Sequence, residues 1–323
     1  MKITLISFDY FDFDANIIKE LKSRGIEAHH IDISKYYYEY ASFGEKVSNF
    51  FRKVFLGKNI KREKTEEFIT QHLSQYGHQD IILTIRPDRI SKKTHLKIKQ
   101  SCNKYLTYIY DSTNRFSINH LIDLFDKIYT FDQNDAKKHG FEHISNYIYL
   151  DKKELNPNKV YRNDLFIISS IDERLGLLNK VADYCSVHSI SFKFIIVGKK
   201  RPQSINSTIE FTTENIFLND LLEELDGSKI FLDLIRKNQN GLSFRIFEAL
   251  AYQKKIITSN QSIKDYDFYS PHNVLVLDEN NPIIPKEFIE SNYEPLPEEV
   301  YNKYTIQAWV DRVFELKANP TYS

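Results

Sequence analysis

The feature that most constrains the fold is a repeated alternation of short apolar runs with amphipathic segments. The chain opens on the apolar run KITLISF, continues with the amphipathic segment ANIIKELKSRG and returns to an apolar run, IEAHHIDI. Short runs without helical period are typical of buried parallel strands, whereas apolar residues at helical spacing predict a helix between them. Strand, helix and parallel strand in this order require a right-handed crossover.

The alternation occurs in two blocks separated by a polar stretch. In the first block, DIILTI, KYLTYIY, KIYTFD and SNYIYL are predicted as further strands, and residues 34–77 as helical. The apolar signal stops between Asp151 and Asn163, which predicts a linker. The second block contains the predicted strands DLFIISS, FKFIIVG, SKIFLDLI, KKIITS and NVLVL, with helices between them. The tail PEEVYNKYTIQAWVDRVFELKA is predicted as one long helix.

Two such blocks predict an α/β protein of two doubly wound Rossmann-like domains that face a cleft. We expect an N-terminal domain over residues 1–155 and a second domain over residues 160–300. The helix of residues 301–323 is expected to cross back to the first domain. Ligands of such sheets bind at the carboxyl ends of the strands, so the cleft is the expected site.

Composition argues against several other classes of protein. Lys plus Arg and Asp plus Glu each number 44, so the net charge provides no general attraction to nucleic acid. Cys102 and Cys185 lie far apart without a CxxC motif, which argues against a disulfide scaffold or a zinc site. MKITLISF is too short for the apolar region of a signal peptide, and no run approaches the roughly 18 apolar residues of a membrane span. These features predict a cytoplasmic protein.

The stretch NGLSFRIFEALAYQKKIITSN, residues 240–260, is the strongest candidate for a ligand site. It predicts a loop, a helix that begins near Leu242 or Ser243, and a buried strand. Unpaired backbone N–H groups give a helix start partial positive charge, and a phosphate can bind there. Gly241 permits close approach of the backbone, and a bound anion would explain Arg245 in a first turn that disfavours cations. The alternative is an ordinary crossover with solvated charges.

Two polar side chains on this predicted helix suit a nucleotide. Ser243 is placed either to cap the helix or to donate to a phosphate oxygen. Glu248 follows about a turn and a half later, and its carboxylate can accept two hydrogen bonds from a ribose diol.

The same stretch resembles the C-terminal nucleotide-sugar motif of GT-B glycosyltransferases, in particular the group of CgeB-like proteins and bacterial lipopolysaccharide or capsule transferases. The pattern there runs Gly-Leu, Arg, Glu-Ala and Lys-Leu-Ile-Thr. IYDSTNRF, FDKIYTFDQNDAKKHGF and IISSIDERLGLL resemble other segments of that group. The resemblance implies transfer of a sugar from a nucleoside-diphosphate donor to a glycan or lipid-linked acceptor in bacterial surface polysaccharide synthesis.

The resemblance also implies roles for individual residues. Glu248 would hold the ribose hydroxyls. Arg174, on the loop after DLFIISS, and Arg245 would neutralise the leaving diphosphate, which the GT-B fold usually achieves without a bound metal or another cofactor. The diphosphate would also accept hydrogen bonds from Gly241, Leu242 and Ser243.

The sequence departs from the pattern of many retaining GT-B enzymes, which carry a second glutamate eight positions upstream. Asn240 stands there instead, and its amide can hydrogen-bond a sugar hydroxyl. The departure leaves the stereochemistry open between inversion and retention. It also keeps open a non-catalytic GT-B-like binding or scaffold partner. A nucleotide-sugar epimerase of the same fold is a separate alternative.

The N-terminal domain is expected to bind the acceptor. Asp111 follows the predicted strand of YIYDSTNRF and would deprotonate an acceptor hydroxyl if the enzyme inverts; alternatively it stabilises a turn or caps a helix. Asp9, after the first strand, is a second candidate base. DFD at Asp12 to Asp14 has the letters of a metal motif but lies in the other domain. His29 and His30, inside a predicted strand, are expected to be packed or partly exposed, and not catalytic.

Several basic and aromatic segments have two interpretations. RKVFLGKNIKREK and KKTHLKIKQ are either solvated helix faces or, with the aromatic residues of KYYYEY and VSNFFRKVF, a surface for anionic lipid headgroups. The second interpretation would place the protein at the inner face of a membrane, beside a lipid-linked acceptor. In the first, the aromatic side chains belong to the core.

Overall fold

The structure is a computed structural model that describes residues 1–9, 12–56, 59–156, 158–214 and 218–316. The chain divides into two units. The first contains residues 1–144 together with Val310 and the residues that follow it, and the second contains Ser145–Trp309. None of the helices in the described ranges is long and apolar enough to cross a membrane.

The first unit is built on a six-stranded parallel sheet in the order β2-β1-β3-β4-β5-β6. The strands are β1 Lys2–Ser7, β2 Glu27–Asp32, β3 Gln79–Ile85, β4 Cys102–Ile109, β5 Lys127–Thr130 and β6 Glu142–His143. The helices are α1 Phe13–Ser23, α2 Phe43–Leu56, α3 Ile60–Tyr76, α4 Lys92–Gln100 and α5 Gln133–His139.

The second unit is also built on a six-stranded parallel sheet, in the order β12-β11-β10-β7-β8-β9. The strands are β7 Asn163–Ser170, β8 Phe192–Val197, β9 Glu210–Thr212, β10 Ser228–Asp233, β11 Lys255–Thr258 and β12 Val274–Val276. The helices that follow along the chain are α6 Leu175–Val187, α7 Leu218–Gly227, α8 Phe244–Ala251, α9 Lys286–Glu290 and α10 Glu298–Asn302. The last helix, α11 Ile306–Phe314, begins in this unit and belongs to the first from Val310.

The strand order confirms the prediction of two Rossmann-like domains. Counted within its own unit, the second sheet has the order 3-2-1-4-5-6 of dinucleotide-binding folds, and the first begins 2-1-3-4-5 as in flavodoxin-like folds. Each order reverses direction at one place, which lies between β7 and β10 in the second sheet and between β1 and β3 in the first. Such a switch point opens a crevice at the carboxyl ends of its strands.

The sheet of the second unit is buried on both faces. Along β7, Leu165 and Ile167 pack in one apolar cluster with residues of α6, whereas Phe166 between them packs in another with Ile246 and Phe247 of α8. Successive strand residues point to opposite faces, so a continuous apolar run fits a strand that is covered by helices on both sides. This burial fixes α8 against the sheet.

Two predictions about secondary structure are wrong. SNYIYL does not close the first sheet, because β6 takes that place; instead Ile148 pairs with Thr305 in the second unit. That pairing also interrupts the tail, which forms α10 and α11 rather than one helix: the N–H of Ile148 donates to the carbonyl of Tyr304, and the N–H of Ile306 donates to that of Ile148. The short strand β9 was not predicted.

A buried lysine joins two elements of the second unit. The side chain of Lys254, 4% exposed, donates hydrogen bonds to the carbonyl oxygens of Leu225, Asp226 and Ser228, at the end of α7 and the start of β10. Burial, with a smaller effect from the charge of Lys159, lowers the pKa of Lys254 to about 7. An ammonium group at a helix carboxyl terminus satisfies carbonyls that have no partner within the helix.

The shifted pKa predicts a pH dependence of stability. Between pH values of about 7 and 10.5 the unfolded chain binds a proton that folded Lys254 does not, so the free energy of unfolding rises with pH. This is tested by urea unfolding of the wild type and of Lys254→Met across this window. The free energy of unfolding of the wild type, relative to that of the variant, should increase by at most about 1.4 kcal/mol per pH unit. A relative free energy of unfolding that does not change with pH, or that decreases as the pH rises, would contradict this prediction.

Candidate active site

The helix α8 begins where the sequence predicts, to within about one residue. It starts at Phe244, and Ser243 is its extended N-cap residue. The hydroxyl of Ser243 makes no capping hydrogen bond and instead donates to Oδ1 of Asp233 at 2.7 Å. The side chain of Ser243 therefore does not cap α8 but joins the helix start to the end of β10. Its contact with a phosphate stays a prediction.

The loop before α8 is held by neighbouring elements of the second unit. Oδ2 of buried Asp233 accepts from the hydroxyl of Thr258 on β11 at 2.8 Å. The side-chain amide of Asn260 donates to the carbonyls of Asn240 and Gly241, at 3.1 and 3.3 Å. These bonds fix the backbone of the candidate phosphate loop at the carboxyl edge of the sheet.

Leu242 contributes to this loop only through its backbone. Its side chain is buried in the apolar cluster around α8, and its carbonyl accepts from the amide of Asn146 at 2.9 Å. A ligand at the loop would therefore meet the main chain of Leu242.

Two guanidinium groups meet one carboxylate at the switch point between β7 and β10. Arg174, after β7, donates to both carboxylate oxygens of Asp172 at 2.8 and 2.6 Å, and to the carbonyl of Leu234 at 3.0 Å. Arg236, after β10, donates to the same carboxylate at 2.9 Å and to the hydroxyl of Ser170 at 3.1 Å. The loops of two adjacent strands are thus joined through Asp172, and two cations lie side by side.

Charge on Asp172 is stabilised by these arginines. Burial acts to raise the pKa of this carboxyl, but the hydrogen bonds and charge of Arg174, with a hydrogen bond from Arg236, bring it below its usual value. Asp172 is therefore ionised at neutral pH and holds both guanidinium groups in place. Lys199, Lys200 and Arg201, after the adjacent strand β8, are exposed and add positive charge to loops at the same edge.

Glu248 points into the protein rather than outward. It is 2% exposed; its Oε1 accepts from the hydroxyl of Tyr149 at 2.5 Å, and its Oε2 lies 2.6 Å from Nη1 of Arg245. Burial and the charge of Glu248 raise the pKa of the Tyr149 hydroxyl far above its usual value, so it remains a donor. Both carboxylate oxygens are thus in contact with protein groups in this conformation.

Arg245 finds its counter-charge within α8. The guanidinium contacts Glu248, and it also lies over the rings of Phe166 and Phe231 at 5.5 and 5.9 Å. The ion pair with Glu248 accounts for Arg245 in the first turn without a bound anion, and a role of Arg245 toward a diphosphate stays a prediction.

In the first unit, Asp111 lies two residues beyond the end of β4. It is buried, and its carboxylate accepts from Arg115 at 2.8 Å and from the N–H of Ser112 at 3.0 Å. The carbonyl of Ser112 in turn accepts the N–H groups of Arg115 and Phe116, which forms a turn. These contacts match the turn-stabilising alternative, and the role as a base stays a prediction.

Asp9 lies at the start of α1 in the first unit. Oδ2 of Asp9 accepts the N–H of Ala15 at 2.8 Å, so the carboxylate closes the first turn of this helix. Burial raises the pKa of Asp9 and raises that of Asp14 well above its usual value. Of the DFD motif, Asp12 is the N-cap residue of α1 and Asp14 is buried; within the described ranges no group of His, Cys, Asp or Glu side chains could hold a metal ion.

The two adjacent histidines of β2 pack as expected. His30 shares a hydrogen bond with the hydroxyl of Ser7 at 2.9 Å, and the ring of His29 stacks on Tyr76 with centroids 4.1 Å apart. These contacts account for the positions of both histidine side chains without a catalytic role.

Several residues of the site were missed by sequence reasoning. Asp172, Asp233 and Arg236 each lie at or just after the end of a buried strand, which is a usable signal in a parallel sheet. Tyr149 has no such signal, because its partner Glu248 is 99 positions away along the chain.

No protein-family model and no curated protein matches this chain. Among solved structures, it is similar to the lipopolysaccharide outer core galactosyltransferase WaaB in its apo form, with a TM-score of 0.52 and 11% identity over 98% of this chain and 99% of that one. It is also similar to the UDP-GlcNAc 2-epimerase of Neisseria meningitidis bound to UDP-GlcNAc, with a TM-score of 0.52 and 11% identity over 98% of this chain and 99% of that one. The chain has the GT-B fold. At these identities the likeness shows the fold alone, and the CgeB-like group stays a prediction.

Proposed function

We propose that this protein is a glycosyltransferase that moves a sugar from a nucleoside-diphosphate donor to a glycan or lipid-linked acceptor, as in lipopolysaccharide or capsule synthesis. The observation that carries the proposal is the pair of guanidinium groups, Arg174 and Arg236, fixed on Asp172 at the switch point of the second sheet. A switch point is where open parallel sheets bind ligands, and two fixed cations there favour an anionic one.

The two guanidinium groups retain donors for a diphosphate. Each has five N–H groups. Arg174 uses three of them on side-chain or main-chain oxygens of Asp172 and Leu234, and Arg236 uses two, on Asp172 and Ser170. The remaining N–H groups suit phosphate oxygens, and the fixed positions cost little reorganisation as negative charge develops on the leaving nucleoside diphosphate. The loop at Gly241 and the start of α8 add main-chain donors.

The ribose is proposed to bind at Glu248. Because the Tyr149 hydroxyl contacts Oε1, a ribose hydroxyl either replaces it or uses the remaining acceptor capacity of the carboxylate. Asp111 is proposed as the base toward the acceptor if the reaction inverts, and Asn240 as a contact to the sugar.

Two proteins of similar fold guide the choice of donors to test and of a second candidate function. WaaB is a galactosyltransferase, and the epimerase of Neisseria meningitidis is bound to UDP-GlcNAc, so UDP-sugars are the first donors to test. Because 2-epimerases share the fold, epimerisation of a nucleotide sugar is the second candidate function.

Product analysis separates these functions. The purified protein is incubated with UDP-, GDP-, CMP- and TDP-sugars, with and without glycan acceptors, and the products are followed by NMR and chromatography. We expect release of nucleoside diphosphate from one of the UDP-, GDP- or TDP-sugars, faster with an acceptor, and unchanged in Lys286→Ala, which removes an exposed lysine elsewhere in the second unit. An epimerised nucleotide sugar formed without acceptor would establish the epimerase instead, and binding without any turnover would establish a binding partner.

A further inference from the structure

Helix α2 of the first unit places its polar face against the protein. The carboxylate of Glu45 accepts from the hydroxyl of Tyr38 and from the N–H of Ala41, both at 2.7 Å. One turn on, buried Asn49 accepts the N–H of Ile60 at 2.8 Å.

The contacts of this face continue to the end of the helix. The amide of Asn49 also donates to the hydroxyl of Tyr40 at 2.9 Å, and Arg52 pairs with Glu63 of α3 at 2.9 Å. Glu45, Asn49 and Arg52 recur at helical spacing, so one polar stripe attaches the helix to the rest of the unit.

The opposite face of α2 is aromatic and exposed. Phe43, Phe50, Phe51 and Phe55 are 81%, 63%, 52% and 74% exposed, and Val47 shares their face. Phe51 stacks on Phe55 and meets Phe50 edge to face, with ring centroids 6.1 and 5.8 Å apart. An amphipathic helix ordinarily buries its apolar stripe, so this reversed orientation, maintained by the polar contacts, leaves a contiguous aromatic surface open.

Positive charge lies beside this surface. Lys46 and Lys53 are exposed at the border between the polar and aromatic faces. The nearby acids Glu45 and Glu63 are already engaged by hydrogen bonds or by Arg52. Lys61 lies over the ring of Tyr37, which is itself 74% exposed. Among the described residues of α2, the charges at this border that make no ion pair are the lysines Lys46 and Lys53, and exposed Glu39 precedes the helix.

We propose that the exposed face of α2 docks on the surface of an anionic phospholipid bilayer. Helices that lie in a membrane interface bury aromatic and aliphatic side chains among the acyl chains and keep lysines among the headgroups, which is the distribution on α2. The inference does not rest on the nucleotide site, which the second unit builds.

A second copy of the chain fits this surface less well. The four phenylalanines of α2 expose roughly 500 Å², taking about 200 Å² for a fully exposed aromatic side chain. This area is smaller than the about 800 Å² that each partner buries in a stable interface. A symmetric contact with antiparallel helices would also bring Lys46 and Lys53 of both copies together, where their charges repel.

Vesicle flotation tests the proposal with the full-length chain. Phosphatidylcholine vesicles are used with and without an anionic lipid, phosphatidylglycerol. The wild type should float with the anionic vesicles, and Phe43→Ser/Phe50→Ser/Phe55→Ser should reduce the bound fraction about tenfold or more. Lys46→Glu/Lys53→Glu should weaken binding to anionic vesicles, and salt at about 0.5 M should weaken that of the wild type, because headgroup attraction is screened.

Two controls make the outcome decisive. Val160→Ser/Val187→Ser removes hydrophobic side chains that are 92% and 78% exposed in the second unit, and it should float like the wild type. In Phe51→Trp, the fluorescence of the introduced indole should shift to the blue with anionic vesicles, since the one native tryptophan, Trp309, is buried. Wild-type protein that stays unbound, serine variants that float unchanged, or a dimer in light scattering that the serine variants abolish would each overturn the proposal.

Discussion

Replacing Glu248 with alanine is expected to lower the free energy of unfolding by about 3–5 kcal/mol, because it leaves a buried cation without its partner. The carboxylate is 2% exposed and lies 2.6 Å from the guanidinium of Arg245. The Tyr149 hydroxyl would also lose its acceptor. Urea unfolding of the wild type and the variant, with the slope against denaturant checked for two-state behaviour, measures the difference.

Matched variants separate charge pairing from packing. Arg245→Met/Glu248→Leu removes both charges and should recover much of the loss, since apolar groups of similar volume often replace a buried ion pair at little cost. Glu248→Gln keeps an acceptor for Tyr149 and should be intermediate. A Glu248→Ala protein within about 1 kcal/mol of the wild type would show that the pair contributes little.

The same residue can be tested for function where the variants remain folded. If a ribose hydroxyl replaces the Tyr149 hydroxyl at Glu248, Tyr149→Phe should bind the nucleotide at least as tightly as the wild type, whereas Glu248→Gln should bind it more weakly. Equal effects of the two substitutions would instead assign both residues to the stability of the fold.

Removing both switch-point arginines is expected to reduce the rate of sugar transfer by about 10²-fold or more, the scale seen when a fixed donor to a developing negative charge is lost. The double variant Arg174→Ala/Arg236→Ala leaves Asp172 without either of its two cations. Initial rates at saturating acceptor, measured over a range of donor concentrations, separate a loss in kcat from a rise in KM.

Conservative variants test whether geometry or charge matters. Arg174→Lys keeps the charge but cannot reproduce the bidentate contact with Asp172. Its rate should therefore lie between those of the wild type and Arg174→Ala. Lys286→Ala, a charge-matched control, should behave as the wild type. An unchanged rate in the double arginine variant would remove these residues from the mechanism.

Features of the fold and of the site that depend on residues close together in the sequence could be predicted, whereas features that depend on distant residues could not. The strands around β7 and β10 are continuous apolar runs, and the start of α8 follows a glycine and a serine, so these elements could be predicted. The order of the strands could not, because alternation along the chain does not state which strands are neighbours. The switch point, and with it the pairing of Asp172 with Arg236 over 64 positions, becomes visible only in the fold.

Specific contacts also explain where the structure departs from the interpretation of the sequence. Arg245 was interpreted by its position in the first turn, but its partner Glu248 lies inward on the same helix. The run at Ile148 has strand-like composition, yet its backbone pairs with Thr305 in the tail, and the same contact ends α10. For Ile148 and the tail, a tertiary contact decided the outcome over local propensity.

The central claim is that the carboxyl edge of the second sheet, between β7 and β10, binds the diphosphate of a nucleotide. A screen of UDP, GDP and TDP by thermal shift, with the monophosphate CMP as a comparison, selects the nucleotide that stabilises the protein. The crystal structure of that complex tests the claim most directly. We predict diphosphate oxygens within about 3.2 Å of guanidinium nitrogens of Arg174 or Arg236, beside the start of α8. A nucleotide bound elsewhere, with both arginines still directed only at Asp172 and their present partners, would contradict it.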